Sequence, residues 1–154
     1  MPAMTVDFES KVREMSEAKA FAVASYGESV AAYRYRTLVE KTSSPQTRAV
    51  FIEMAEEEQG HHQRVEELMR KHYPGADFVL TPEDKELVIV GPRMLDASDP
   101  ESYARALDMI CETERLTGRL YNTLHAITTE ASLRPFLKEM ADECIEHAER
   151  LEAL

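Results

Sequence analysis

Residues 14–68 slide onto residues 100–154 at a constant offset of 86 without a gap, and seventeen of the 55 paired positions are identical. A gapless match of that length requires the same element lengths and the same turn in both copies. In the first copy, Ser16 is placed to cap a helix that runs to about Lys41. Thr42-Ser-Ser-Pro45 is a compact turn, and its proline suits the first turn of a second helix that stops at Tyr73-Pro-Gly75. In the second copy, Asp99-Pro100-Glu101 starts a third helix running to about Thr128. A turn over Thr129–Ser132 leads to a fourth helix that reaches Leu154. One domain over 1–154 is expected, with hairpins at about 16–72 and 99–154 and a long crossover at about 73–98. The crossover holds Pro74, Pro82 and Pro92 and the apolar run Leu87-Val-Ile-Val90, so it reads as extended in part.

The four helices carry buried seams with steps of three and four residues. They read Phe21, Ala24, Glu28, Ala31, Tyr35, Leu38; then Phe51, Met54, Glu58, His61, Val65, Leu68. The second copy reads Leu107, Ile110, Glu114, Thr117, Tyr121, Leu124; then Leu137, Met140, Cys144, His147, Leu151, Leu154. Apolar residues fill the ends of each seam and ionisable residues occupy the middle. A carboxylate inside a bundle is costly unless it is paired or coordinated.

In an antiparallel hairpin, facing residues are equidistant from the turn. The midpoints of Glu28 with Glu58 and with His61 both fall in Thr42–Pro45, and that of Glu114 with His147 falls in Thr129–Ser132. Two packed hairpins therefore bring Glu28, Glu58, His61, Glu114 and His147 into one polar layer, roughly 22 Å from the turns at 1.5 Å per residue. Cys144 stands where the repeat places the partner of Glu58. Its thiol is suited either to packing as a small buried hydrophobe or to ligating a metal. Glu56, Glu57, Glu143 and Glu146 read as solvated, with Glu143 able to substitute for Cys144 only with distortion. His62 reads as surface, and His72 and His125 as surface or boundary. Tyr35 and Tyr121 read as core.

A net charge of −11 excludes a phosphate-neutralising basic stripe and argues against nucleic acid and anionic membranes. No apolar run is long enough for a transmembrane helix, and the N-terminus lacks the pattern of a signal peptide. Cys111 and Cys144 form no C-x-x-C pair, so a reducing, cytoplasmic setting is the expectation.

Glutamates from two helices and Glu-x-x-His pairs from two others resemble the di-metal layer of ferritin-like bundles. The segment Phe51-Ile-Glu-Met-Ala-Glu-Glu-Glu-Gln-Gly-His61, with Gly27-Glu28 and Ala32-Tyr-Arg-Tyr35, resembles the rubrerythrin family. Met140-Ala-Asp-Glu-Cys-Ile-Glu-His-Ala148 is similar to that family's second copy. The resemblance implies an all-α, ferritin-like four-helix bundle of two antiparallel hairpins. It implies Glu28, Glu58, His61, Glu114 and His147 as metal ligands, and Cys144, a departure from the family at a ligand position, stands as a candidate sixth. It further implies a di-iron cofactor, reduction of peroxide or dioxygen or oxidation of ferrous iron, and a homodimer. The chain departs from the family in lacking the C-x-x-C pairs of a rubredoxin module, so electrons would come from an external donor. It also carries Cys144 and Thr117 where the family has carboxylates. Those two losses leave open a zinc- or single-iron-binding bundle for storage or sensing.

Overall fold

The computed structural model describes the backbone of residues 2–154 and the side chains from residue 7 onward. Six α-helices follow one another: α1 (Pro2–Glu14), α2 (Glu17–Lys41), α3 (Pro45–His72), α4 (Pro82–Glu86), α5 (Pro100–Ile127) and α6 (Arg134–Glu152). A single 3-10 turn, Ala131–Leu133, precedes α6. Helices α2 and α3 form one tight antiparallel hairpin, α5 and α6 the other, and the hairpins meet chiefly along α2 and α5.

The boundaries follow from local chemistry. The Ser16 and Ser44 hydroxyls accept from the amides of Lys19 and Thr47 and so satisfy otherwise orphaned helix N–H groups. Asp99 and Ser102 form a reciprocal capping box at the start of α5. Both hairpin turns are tied in the same way: Arg48 donates to the Thr42 carbonyl at 2.9 Å, and Arg134 donates to the Thr128 carbonyl at 3.0 Å. These arginines and threonines are related by the 86-residue offset, so the repeat is structural as well as textual.

The seams are buried almost throughout. Phe21, Tyr35, Phe51, Met54, Tyr121, Leu124, Leu137 and Met140 are fully enclosed. Leu68 and Leu107 are partly buried. Leu154, read as the end of the fourth seam, is 48% exposed because α6 ends at Glu152.

Two features differ from the sequence expectation. Helix α1 was not anticipated; it lies against α5, where Phe8 and Val12 are buried and the Arg119 guanidinium stacks over the Phe8 ring at 4.6 Å. The crossover is not extended across its apolar run. Thr81-Pro-Glu-Asp84 is a second capping box that winds 82–86 into helix, and no strand occurs among the described residues. Leu87 and Val88 instead fold inward, and a Cβ at Gly27 of α2 would lie only 3.0 Å from that of Val88. A side chain at position 27 would require Val88 to shift by a few tenths of an ångström.

Candidate metal centre

The antiparallel register puts Glu28 (α2), Glu58 and His61 (α3), Glu114 (α5) and His147 (α6) at one height in the core, none more than 5% exposed. They form two groups of mutually close donor atoms, Glu28–Glu58–His61 and Glu58–Glu114–His147, each with all atoms within 4.8 Å. Glu58 belongs to both. Its Oε1 lies 2.6 Å from His147 Nδ1 and its Oε2 3.6 Å from His61 Nδ1. Glu28 Oε2 is 3.4 Å from His61 Nδ1, and Glu114 Oε2 is 3.6 Å from His147 Nδ1. The two imidazoles stack with centroids 6.0 Å apart and an interplanar angle of 17°.

The layer is symmetric about the repeat. The Tyr35 hydroxyl donates to Glu114 at 3.0 Å, and the Tyr121 hydroxyl donates to Glu28 at 2.8 Å. Each tyrosine thus fixes a carboxylate of the opposite hairpin and leaves that carboxylate's second oxygen facing a histidine. Both tyrosines are core residues, as their spacing suggests, but they also orient the layer.

Outside the layer, His61 Nε2 lies 2.7 Å from Glu143 Oε2, and His147 Nε2 lies 2.5 Å from Glu57 Oε2. Glu57 and Glu143 read as solvated in the sequence, yet Glu57 is hydrogen-bonded to His147 and Glu143 lies at ion-pair distance from His61. The signal was present in the text: both precede the Glu58 or Cys144 position by one residue and are themselves related by the offset of 86. A carboxylate on the outer nitrogen holds the ring so that Nδ1 faces inward, the arrangement that orients and strengthens a histidine ligand. Glu56 and Glu146 are exposed, as expected.

Cys144 does not join either donor group. It is 1% exposed and packs within the apolar cluster that includes Leu120, Tyr121 and Met140. A Cβ on Gly118 of α5 would lie 3.4 Å from the Cys144 Cβ, so the two helices approach closely there. Thr117 is also turned away from chemistry, donating to the Thr113 carbonyl at 2.9 Å. The layer therefore has one shared carboxylate, Glu58, where a faithful repeat would have two. Cys111 is partly buried, with its thiol directed to the Glu152 carboxylate at 3.4 Å.

The residues fit a cation better than they fit one another. Glu28 Oε2, Glu58 Oε1, His61 Nδ1 and His147 Nδ1 are buried without a hydrogen-bonded partner, despite the short distances above. These are ion-pair distances without hydrogen-bond geometry, so proximity here is not satisfaction. Buried polar atoms in native proteins nearly always have partners. Four that converge and remain unpaired are what a coordinated cation would reconcile.

Without a cation, protons take its place. Burial would lower the His61 and His147 pKa values, but the adjacent carboxylates of Glu28 and Glu58, and of Glu114 and Glu58, push them up to about 11 and about 12. Burial also raises the Glu58 carboxyl well above its usual range, and repulsion from Glu114 and Glu28 adds to this. Burial acts to raise Glu28 too, but the closeness of Glu58 and His61 and the Tyr121 hydrogen bond hold it below the ordinary value. Burial and then Glu114 raise the Cys144 thiol strongly, so a metal-free layer keeps it protonated. Folded-state pKa values above those of the unfolded chain mean that stability is full below about pH 6.5 and is lost as pH climbs towards 11. The metal-free protein is therefore expected to melt at progressively lower temperature between these limits. A melting temperature that is flat or rising over that window in thermal scans contradicts the proton-filled layer.

No helix is long and apolar enough to cross a membrane among the described residues. No curated protein sequence matches the chain. A solved structure of a hypothetical protein from Pyrococcus furiosus superimposes with a TM-score of 0.78 at 20% identity, covering 92% of this chain and 91% of that one. That likeness speaks for the fold, a ferritin-like helical bundle. The family model for rubrerythrin matches residues 19–154, which takes in both hairpins and every member of the layer. The chain belongs to the rubrerythrin family.

Proposed function

We propose that the layer holds two metal ions, one at Glu28–Glu58–His61 and one at Glu58–Glu114–His147, and that the protein is a non-haem di-iron oxidoreductase acting on peroxide or dioxygen. The observation that carries this reading is the set of four converging, unpartnered donor atoms buried in the core. When bound, ferrous ions supply the electrons and Lewis acidity that reduction of an O–O bond requires. The chain's own residues do the rest. Glu58 sets the spacing of the two positions. Tyr35 and Tyr121 hold Glu114 and Glu28 by hydrogen bonds and place an O–H within the layer. Glu57 and Glu143 fix the imidazoles from outside. Phe51, Met54, Leu137 and Met140, fully buried on the same seams of α3 and α6, would add an apolar surround to the layer. Electrons would come from an external donor, and the working protein would be a cytoplasmic homodimer.

A second reading is favoured by one specific feature. Cys144 replaces a carboxylate, so the layer has fewer hard oxygen donors and a sulfur nearby, a set that suits zinc or a single iron. In that case the protein would store or sense metal without turnover.

The test is anaerobic reconstitution with ferrous iron, followed by metal analysis and peroxide turnover with a chemical reductant. Two irons per chain, with an oxo-bridged absorption band that bleaches on reduction and measurable peroxide consumption, is the expected result. One metal per chain, or zinc retained in preference to iron with no turnover, selects the second reading. No metal under any loading condition removes both.

A further inference from the structure

The five donors of the layer are sealed in the core, so an ion must have a way in. Three faces of the bundle are closed. The hairpin faces α2–α3 and α5–α6 are packed along their lengths, with Gly118 admitting the close approach of Cys144. The α2–α5 face is crossed by Tyr35–Glu114 and Tyr121–Glu28, and the crossover covers it with buried Val88 and with the clamp of Arg34 on Val90 and Pro92.

The fourth face, between α3 and α6, is different. Apart from contacts within the layer itself and the stacking of Arg64 over Phe136, it is spanned by charged pairs, two sets of which are related by the 86-residue offset. Arg150 meets Glu53 at 3.1 Å, and Arg64 meets Glu139. Inside that pair of bridges, Glu57 meets His147 and Glu143 meets His61. The side chains of Glu57 and Glu143 are each 38% exposed, while the histidines they touch are 2% and 7% exposed. Each carboxylate therefore reaches from solvent to a buried ring whose other nitrogen faces the layer. Glu143 Oε2 is itself buried with no hydrogen-bonded partner. Side-chain ion pairs at a surface are weak and open readily, unlike backbone-packed helix contacts.

We propose that the α3–α6 seam is the route by which divalent cations reach the layer, with Glu57 and Glu143 as paired transit ligands and Arg64 and Arg150 as the charged bars across it. This rests on the layer being a metal site. The two carboxylates attract a cation to the seam, and swinging each onto its histidine afterwards restores the ring orientation. The arginines neutralise Glu53 and Glu139 and partly screen Glu57, to which Arg150 also points at 3.7 Å.

The test is the rate at which the full-length metal-free protein takes up cobalt(II), followed by its visible absorption in a stopped-flow instrument, together with the final number of ions bound. Glu57→Gln/Glu143→Gln is expected to load at least about tenfold more slowly, with weaker dependence on salt, and to bind cobalt about 10–100-fold less tightly because the same side chains orient the histidines, while still filling both positions at saturating cobalt. Arg64→Gln/Arg150→Gln, which removes both bars and the stacking of Arg64 over the Phe136 ring but none of the five donors, is expected to load faster at the same stoichiometry. Wild-type rates in both variants overturn the route while leaving the metal layer standing. A glutamate variant that binds cobalt more weakly yet loads at the wild-type rate also overturns it, because those residues would then hold the histidines without passing the ion. A wild-type protein that takes up no cobalt removes the metal layer and the route together.

Discussion

Replacing Glu58 with glutamine is expected to abolish metal binding at both positions, whereas Glu28→Gln or Glu114→Gln is expected to remove one ion each. The difference comes from geometry. Glu58 presents one oxygen towards His147 and the other towards His61, while Glu28 and Glu114 each serve a single histidine. A second shared carboxylate would soften the loss, but Cys144 occupies that place and lies outside both donor groups. Without Glu58 each position retains one carboxylate and one imidazole. Partners that merely orient a ligand are worth about 10–100-fold in affinity, so loss of a shared ligand is expected to cost more than about 100-fold at each position. Glutamine is the right replacement because it keeps the shape of the Glu58 side chain while removing a charge that burial disfavours. The metal-free variant should therefore fold as the wild type does. Equilibrium titration with cobalt or ferrous iron reads the outcome. One ion retained in Glu58→Gln would show that the two positions do not share this residue.

Arg34→Met is expected to cost about 3 kcal/mol of stability and to expose the crossover to proteases. Arg34 is 1% exposed, and no carboxylate is among its hydrogen-bonded partners. It donates to the carbonyls of Val90 and Pro92 at 2.8 and 2.7 Å and to the Thr113 hydroxyl at 3.1 Å. Thr113 in turn accepts from the Val90 amide at 3.0 Å. One buried cation thus ties α2, α5 and the end of the crossover together. Hydrogen bonds to charged groups contribute roughly 1.5–3 kcal/mol each, and unpaired acceptors left behind add their desolvation cost. Methionine preserves most of the volume, so the loss reports the bonds rather than a cavity. Arg34 precedes Tyr35, and Thr113 precedes Glu114, so the clamp also holds α2 and α5 in the register that pairs Tyr35 with Glu114. Urea denaturation and limited proteolysis between residues 88 and 99 read the effect. A change under about 1 kcal/mol with unchanged cleavage would show that the crossover is held by Leu87 and Val88 alone.

Much of this was legible in the text because it depends on local period and on equal spacing from a turn. Helix ends at Ser16, Ser44 and Asp99 follow from capping chemistry that involves only neighbours. The convergence of Glu28, Glu58, His61, Glu114 and His147 follows from antiparallel geometry, which converts spacing along the chain into height in the bundle. The crossover was harder. Leu87-Val-Ile-Val90 has the composition of a strand, but it has no strand to pair with, and the Thr81 capping box next to it decides the local conformation. Glu57 and Glu143 were misread for a different reason: their helical phase points towards the boundary, and a boundary carboxylate is solvated unless a partner on another helix meets it.

The sequence by itself determined the two hairpins, the height of the polar layer and the break in its symmetry at Cys144. Period and spacing are properties of one helix or one hairpin, and these can be counted along a chain. Only the tertiary structure decided that the α3–α6 face would be spanned by Glu53–Arg150, Arg64–Glu139, Glu57–His147 and Glu143–His61. It alone decided that Arg34 would be buried under the crossover. These contacts join residues many tens of positions apart. Their existence depends on the distance and rotation between helices, which no single-helix pattern encodes.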